Sequence, residues 1–368
     1  MLPLLLTLIF IRPFIASLAF PLINSLYLFA LLAALTGWII TKGASWEKTK
    51  HLHPAMLILA VSLLVSFCFS SNKLLATFEL STYFIGFLIL IIMPSLSPKE
   101  REQVMRCILF SGFVITLMAF YQYFFGFSHL EHYASAHNIK NPFVLDYLRR
   151  RRVFSPFVTP NALAGYLIMV IPLAFINKRY SWYIIPLGLV VILTQSLGAI
   201  LSLFLAMVFY FYMLGKEQKR NTFILAGILL VTVIVLCARL LTQGAQTQPI
   251  FSTVMRLRYW QDTFAMIQRS PLIGTGMGNF NLTYSRFTHN SYLQFWAETG
   301  IVSLLALGWL VIIITKNGIV RAKNNMPQNM ILALLTANVA FLLHNFIDFT
   351  FFLPEVTLAW WVILGLLI

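Results

Sequence analysis

Long apolar runs, separated by short polar connections, organise most of the chain. Each run is about 17–22 residues long, and a helix of that length crosses the roughly 30 Å of hydrocarbon in a bilayer. The runs lie near residues 2–22, 25–41, 54–71, 74–94, 107–127, 160–176, 180–195, 197–214, 222–242, 291–315, 329–347 and 351–368. The pattern therefore predicts an all-α, polytopic integral membrane protein with about twelve transmembrane helices.

Composition agrees with this interpretation. The chain is 60% hydrophobic and only 10% charged, whereas a soluble domain carries about 25% charged residues. Cys68, Cys107 and Cys237 lie in or beside apolar runs without metal-type spacing, so we expect them to pack as small apolar side chains. The first run carries Arg12 in its middle and no cleavage site follows it, which argues against a signal peptide.

Basic residues concentrate in one alternating set of short loops, at residues 42–50, 99–106, 178–179, 216–220 and 316–323. The positive-inside rule assigns such loops to the cytoplasm. This orientation places both termini in the cytoplasm. It also places two longer loops, 128–159 and 243–290, on the outer side of the membrane.

These two outer loops carry positive charge against the rule. The first contains an arginine run that ends at Arg152, and the second contains Arg256 and Arg258. The planar guanidinium fork suits phosphate, so we expect the arginines to bind a polyanionic group at the outer surface. A solvated charge run or contact with anionic lipid headgroups is the alternative. No nucleic-acid partner is expected.

The second outer loop contains a helical pattern followed by glycines. Leu257, Trp260, Phe264 and Ile267 follow helical spacing, which predicts an amphipathic helix along the membrane surface. The glycines in 274–278 lack the strand–turn–helix context of a dinucleotide site. We expect them to form a tight loop that folds back toward the next helix.

That next helix carries a polar stripe. Asn290, Gln294 and Glu298 recur every fourth residue and share one face, and His289 and Tyr292 lie near its start. A polar face exposed to lipid is costly, so the stripe is expected to face the protein interior or a wet cavity. Interhelical hydrogen bonding alone is the alternative role.

Four further polar positions lie in or beside apolar runs. His344 and Asp348 are four residues apart, on one predicted helix face, and Glu355 adds a second polar cluster on the same side as the stripe. Glu79 lies within the fourth run, where a hydrogen bond to a neighbouring hydroxyl is the simplest expectation.

A family resemblance rests on several of these segments. It combines Arg152 and the sequence Pro160-Asn161-Ala162-Leu163-Ala164-Gly165, Arg256 and Trp260, the Pro271–Gly276 stretch, His289-Asn290-Ser291-Tyr292-Leu293-Gln294 with Glu298-Thr299-Gly300, and His344 with Asp348. Together they resemble the O-antigen ligase and O-antigen polymerase superfamily over about residues 150–368. Residues 1–127 match only in hydrophobicity. The resemblance therefore divides the chain into an N-terminal scaffold, 1–127, and a ligase-like transmembrane domain, 128–368.

The resemblance implies a glycosyltransferase of the bacterial inner membrane, acting at the periplasmic face in lipopolysaccharide biosynthesis. Such an enzyme moves a glycan from a polyprenyl-pyrophosphate carrier to a hydroxyl acceptor, here a lipid A–core sugar, without metal or another cofactor. The implied partners are the carrier-linked donor, the lipid A–core or another glycan acceptor, and membrane lipid.

The resemblance also implies roles for individual residues. Arg152, Arg256 and Arg258 would hold the pyrophosphate, and His289 would activate the acceptor hydroxyl together with Glu298 as a second catalytic residue. Supporting roles would fall to Asn161, Asn290, Tyr292, Gln294, His344 and Asp348. Two positions depart from the family pattern: Leu197 stands where an arginine is common, and Ser155 where a glycine is common.

Several functions stay open at this level. Transfer by a ligase is preferred, while a polysaccharide polymerase or a protein O-oligosaccharyltransferase would use the same donor. A transporter of lipid-linked glycan belongs to a different class and predicts polar residues deep in several spans. Because the polar residues concentrate near the outer face, the transporter ranks lower.

Overall fold

The computed structural model describes residues 1–140, 142–214, 251–282, 285–324 and 328–368, together with positions 227, 231 and 234. Within these ranges the chain is helical, with one isolated β-bridge and no strand. The α-helices are α1 (Leu2–Ile11), α2 (Pro21–Lys42), α3 (Trp46–Thr49), α4 (His53–Phe69), α5 (Lys73–Ile92), α6 (Pro98–Tyr121), α7 (Phe127–Ala136), α8 (Pro142–Arg149), α9 (Pro160–Leu173), α10 (Ile184–Leu193), α11 (Leu197–Leu214), α12 (Phe251–Arg269), α13 (Ser291–Lys323), α14 (Gln328–His344) and α15 (Pro354–Leu367).

Six helical stretches of the described chain are long and apolar enough to cross a membrane: Pro21–Lys42, Trp46–Phe69, Lys73–Ser95, Pro98–Ala136, Leu197–Leu214 and Ser291–Lys323. Four shorter apolar stretches are Leu2–Phe14, Pro160–Ile176, Asn329–His344 and Pro354–Leu367. The predicted class, an all-helical membrane protein, is confirmed. A count of twelve spans is not confirmed, and the predicted span 222–242 lies outside the described residues apart from isolated positions.

The first predicted span, 2–22, is not one helix. Helix α1 ends at Ile11, a 3₁₀ turn covers Arg12–Phe14, and α2 begins at Pro21. Proline lacks the amide hydrogen that continues a helix, so Pro13 and Pro21 favour helix starts over one unbroken span. Apolar content alone did not distinguish a full crossing from two helices joined by a turn.

The most deeply buried helices are among the shorter ones. Nearly every residue of α9 and α15 is buried, and a helix that is apolar all round is typical of a protein interior. Helix α14 packs against α9 and α11, α15 packs against α5, and α4 packs against α13. One apolar core therefore joins both parts of the chain, and the division at residue 127 stays a prediction.

Basic side chains hold helix ends together at one end of the bundle. Arg101 donates to the carbonyl oxygens of Pro94 (3.1 Å) and Leu366 (3.2 Å), and Arg321 donates to that of Ile368 (2.9 Å). These carbonyls lack partners within a helix, so the guanidinium groups satisfy them. We call this the basic end. The polar residues considered next lie at the opposite end, the site end.

The predicted helix is present as α12, and its position along the membrane surface stays a prediction. Tyr259, Thr263 and Ile267 are buried, and this face packs against α13. Of the apolar residues whose spacing predicted the helix, Ile267 is buried, whereas Leu257 and Phe264 are 51% and 48% exposed. The spacing identified the helix correctly, whereas the packing face was decided by the contact with α13.

Candidate functional site

Helix α13 begins at the predicted polar stripe because Asn290 caps it. The Asn290 side-chain oxygen accepts hydrogen bonds from the backbone N–H groups of Tyr292 and Leu293, both at 3.1 Å. An N-cap asparagine satisfies donors that the first helical turn leaves unpaired. Asn290 is therefore committed to the helix start, and His289 immediately before it adopts a left-handed conformation with φ of 54°.

Ser291 ties the start of α13 to the turn that follows α14. Its N–H donates to the carbonyl oxygens of Asn345 (2.9 Å) and Asp348 (3.1 Å), and its hydroxyl donates to Asn345 Oδ1 (2.6 Å). Helix α14 ends at His344, so Asp348 lies in the turn and the prediction of one shared helix face was wrong. The tie through Ser291 nevertheless brings His289, His344 and Asp348 to the same end of the bundle.

Arg152 is nearly buried at 9% exposure, and hydrogen bonds to two other parts of the chain hold its guanidinium. Its Nε donates to the Thr194 carbonyl between α10 and α11 (3.0 Å), and its Nη2 donates to Asn161 Oδ1 at the start of α9 (3.3 Å). The Asn161 amide in turn donates to Asp348 Oδ2 (2.7 Å). Arg152, Asn161 and Asp348 thus form one hydrogen-bonded chain.

The segment after Arg152 is held by a residue that the sequence analysis did not select. Gln122 begins a π-helical turn, Gln122–Gly126, and its side-chain oxygen accepts from the N–H groups of Phe154 (2.8 Å) and Ser155 (2.9 Å). Such turns are often found at functional sites. The sequence contains no local signal for this turn, so only the structure identifies the role of Gln122.

Arg256 and Arg258 occupy different sides of α12. Residues two apart on a helix point in roughly opposite directions. Arg256 is half-buried and acts electrostatically on His289 and His344, whereas Arg258 is exposed. The structure therefore brings Arg256, and not Arg258, next to the chain formed by Arg152, Asn161 and Asp348. The neighbouring Arg150 is engaged elsewhere, in an ion pair with Asp146 at 2.8 Å.

The His289 ring sits between two aromatic side chains. Its centroid lies 5.9 Å from that of Tyr259 and 4.9 Å from that of Phe349, to which it is nearly perpendicular. The residue is half-buried and its Nδ1 is covered, with no hydrogen-bond partner among the described residues. Burial lowers the pKa of His289, Asp348 opposes this shift, and Arg256 adds to it. The imidazole is therefore neutral near pH 7 and able to accept a proton.

A break at Gly300 shapes the other end of this helical segment. Gly300 has φ of 81°, and a side chain there would collide with the Leu272 carbonyl. The break frees backbone groups, which the glycine-rich loop satisfies: Thr275 N–H donates to Ala297 O (2.8 Å) and Gly276 N–H donates to Glu298 O (3.0 Å). The prediction that this loop folds back onto the helix is confirmed.

The Glu298 side chain lies two helical turns from His289 in a second polar cluster. Its Oε1 accepts from Gln294 Nε2 (3.0 Å) and its Oε2 accepts from Gly278 N–H (3.3 Å). The carboxyl is also hydrogen-bonded to that of Glu79. The expectation that Glu79 pairs with a hydroxyl was wrong: its partner is a second carboxyl from α13. The sequence offered one signal for this pairing: each of two separate apolar runs contains an acidic residue.

Glu355 does not join either cluster. Its two oxygens are bound by Arg12 Nη2 and by the N–H of Ser17, each at 3.2 Å, and both charged side chains are buried. The predicted polar cluster around Glu355 was therefore wrong as part of the site. Tyr292, a predicted supporting residue, contacts the end of α14, where its hydroxyl donates to the Leu342 carbonyl (2.8 Å).

In the part of the chain that the structure describes, no group of three or more His, Cys, Asp or Glu side chains is placed to hold a metal ion. What the site offers a ligand is positive charge from Arg152 and Arg256, beside a neutral histidine and the Asp348 carboxylate. This arrangement suits an anion bound next to a group that loses a proton.

Comparison with known proteins gives a family match over part of the chain. Residues 182–308, about a third of the chain, match the family model described as O-antigen ligase. The match contains Arg256, His289 and Glu298, and it confirms the resemblance to the O-antigen ligase superfamily that the motifs indicated. Comparison with curated proteins gave no match. The matched family implies a membrane enzyme of the glycosyltransferase type.

Proposed function

From the O-antigen ligase match and the geometry of the site end, we propose that the chain transfers a glycan from a polyprenyl-pyrophosphate carrier to a hydroxyl acceptor. The acceptor proposed is a lipid A–core sugar at the periplasmic face of the bacterial inner membrane. The observation that carries the proposal is that Arg256 acts electrostatically both on Arg152 and on a neutral His289. This puts a phosphate-binding charge and a proton acceptor at one place.

The arginines stabilise the leaving group in this proposal. When the anomeric C–O bond to the carrier breaks, its electron pair passes to the pyrophosphate oxygen. Arg152 is already fixed by Thr194 and Asn161, so little reorganisation is needed as negative charge develops there. Its guanidinium can keep the hydrogen bonds to Thr194 and Asn161, while its remaining N–H groups donate to phosphate oxygens.

His289 serves the acceptor in the same step. Its accessible nitrogen, Nε2, takes the proton from the acceptor hydroxyl while that oxygen forms the new bond to the anomeric carbon. The lowered pKa keeps the imidazole in the accepting form. Asp348, which acts electrostatically on His289, stabilises the imidazolium that results. The products are the glycosylated acceptor, the carrier pyrophosphate and a protonated His289.

The test is expression in a bacterium that lacks its own ligase, followed by gel analysis of lipopolysaccharide. We expect a ladder of polymer-modified lipopolysaccharide with the native chain and its loss with His289→Ala, since a general base contributes about 10²–10⁴-fold. His132→Ala, a change of an exposed histidine in α7, is the matched control and should keep the ladder.

Other outcomes separate the related activities. Unmodified core together with longer carrier-linked polymer would identify a polymerase, and glycan on Ser or Thr of a protein would identify a protein O-oligosaccharyltransferase. Movement of labelled carrier lipid across a vesicle without any covalent product would favour a transporter. A ladder that persists with His289→Ala would contradict the catalytic assignment.

A further inference from the structure

The carboxyl groups of Glu79 and Glu298 meet where α5 packs near the segment of α13 that ends at Gly300. They are hydrogen-bonded to one another, and a hydrogen bond between two carboxyl groups requires a proton on one of them. Both oxygens of Glu298 already accept, from Gln294 and from the Gly278 N–H. Glu298 is therefore the accepting carboxylate, and Glu79 is the acid that donates.

This pair holds the glycine-rich loop. Gly278 N–H binds Glu298 Oε2 and also reaches the Glu79 carboxyl. The same loop is tied to the Glu298 carbonyl through Gly276 N–H, and that carbonyl accepts from the Ser66 hydroxyl at 2.9 Å. Helices α4 and α5 thus both reach the loop through Glu298, although they belong to the region predicted as scaffold.

The pair is also connected to His289. Gln294 donates to Glu298 through its amide nitrogen, and its oxygen accepts from the Thr288 N–H at 3.2 Å. Thr288 is buried and directly precedes His289. The backbone on the N-terminal side of His289 is therefore fixed through Gln294, while Asn290 fixes the other side by capping α13.

The charges around the pair are few. Arg286 attracts both carboxyl groups, and Tyr83 lies one helical turn along α5 and interacts with both. Loss of the shared proton would leave two carboxylates a hydrogen bond apart in apolar surroundings, opposed by one arginine. Such like-charge contact is costly, so the hydrogen bond would break and the groups would separate.

We propose that Glu79 is a positioning residue that, through the proton it shares with Glu298, fixes the glycine-rich loop and the backbone at His289. The inference rests on the proposed glycan transfer for its activity readout. Removing the hydrogen bond between the two carboxyl groups releases the loop and the backbone at His289, so the transfer rate falls. Glu79 does not contact substrate in this proposal and acts only through Glu298 and Gln294.

The experiment compares the native chain with Glu79→Gln and Glu79→Ala, purified and reconstituted in lipid with a polyprenyl-pyrophosphate-linked glycan. A glutamine donates the same hydrogen bond and cannot ionise. We expect Glu79→Ala to lose at least about tenfold in rate, in the range of a misplaced catalytic group. Glu79→Gln should restore transfer, because it keeps the hydrogen bond to Glu298. Glu131→Gln, an exposed acid in α7, should behave as the native chain.

Hydrogen exchange of residues 270–290 at one fixed pH supplies a readout that needs no glycan. Faster exchange in Glu79→Ala, with native protection in Glu79→Gln, is expected even if the chain has another activity. Equal protection in all three proteins would overturn the inference. So would a Glu79→Ala transfer rate equal to that of the native chain. If exchange changes as expected but no variant transfers glycan, the proposed function fails while the role of Glu79 in fixing the loop stands.

Discussion

Glu355 and Glu298 are both fully buried carboxyl groups, and they are neutralised in different ways. Glu355 binds the guanidinium of Arg12, which also lies over the Tyr27 ring at 4.8 Å. Glu298 instead binds amide donors and a second carboxyl that carries a proton. Arginine does not release its proton in proteins, whereas a shared carboxyl proton can be lost as pH rises.

The difference separates a fixed contact from one that responds to conditions. The Arg12–Glu355 pair joins the N-terminal turn to the start of α15 and does not contact the residues of the candidate site. The Glu79–Glu298 pair supports the loop beside His289. Permanent charge pairing suits a contact that only holds helices together. A shared proton suits a position next to chemistry that itself moves a proton.

Breaking the Arg12–Glu355 pair should have the largest effect on stability. Arg12→Ala leaves Glu355 buried without its partner, and such a change costs about 3–5 kcal/mol. Thermal unfolding in detergent measures the loss. The double variant Arg12→Met with Glu355→Leu removes both charges and should recover most of it. If the double variant is as unstable as Arg12→Ala, the pair matters for its shape and not for its charge.

A substitution at the helix break, Gly300, should have the second-largest effect on stability. This effect should be confined to the site end. Gly300→Ala introduces a side chain at φ of 81° against the Leu272 carbonyl, and such strain costs about 1–3 kcal/mol. We expect a lower melting temperature and reduced protection of residues 270–279 in hydrogen exchange. Gly308→Ala, in the same helix with open space around it, is the control. Equal effects of both would contradict the role of the break.

The fall of the transfer rate at acidic pH should depend on His289. Burial lowers the pKa of His289 below the ordinary histidine value of 6.5, so the accepting form persists at neutral pH and is lost as pH falls through the lowered pKa. Below that pKa the rate should fall about tenfold per pH unit. A pH profile of glycan transfer at saturating donor checks this. A rate that begins to fall well above 6.5 would contradict the assignment.

The smallest effect is expected at an exposed ion pair of the same length. Glu47 and Lys50 are 3.2 Å apart, as Arg12 and Glu355 are, but their side chains are 89% and 72% exposed. Water screens exposed pairs, so Glu47→Gln should leave the melting temperature unchanged within error. A loss comparable to that of Arg12→Ala would mean that distance, and not burial, decides the contribution of these pairs.

Much of the fold class followed from local patterns. Runs of apolar residues predict helices in a membrane because an unpaired backbone group in hydrocarbon is so costly. The amphipathic helix α12 and the start of α13 at Asn290 are also local features, set by spacing and by a capping side chain. These predictions succeeded because each depends on residues within one or two helical turns of one another.

Contacts between distant segments could not be predicted from local sequence patterns. Three contacts join residues that are far apart in sequence: Glu79 with Glu298, Arg12 with Glu355, and Gln122 with Phe154. An isolated acid in an apolar run has the same local sequence whether its partner is a hydroxyl, an arginine or another acid. Only the packing of α5 near α13 identifies the partner.

The sequence by itself determined that the chain is a helical membrane protein and that His289, Arg152 and Arg256 carry the family motifs. Those properties depend on composition, spacing and residue type. The tertiary structure decided which face of α12 is buried, that Arg256 and not Arg258 approaches His289, and how each buried glutamate is neutralised. Side-chain direction and burial result from the packing of whole helices, and the cost of a buried charge depends on the partner that this packing supplies.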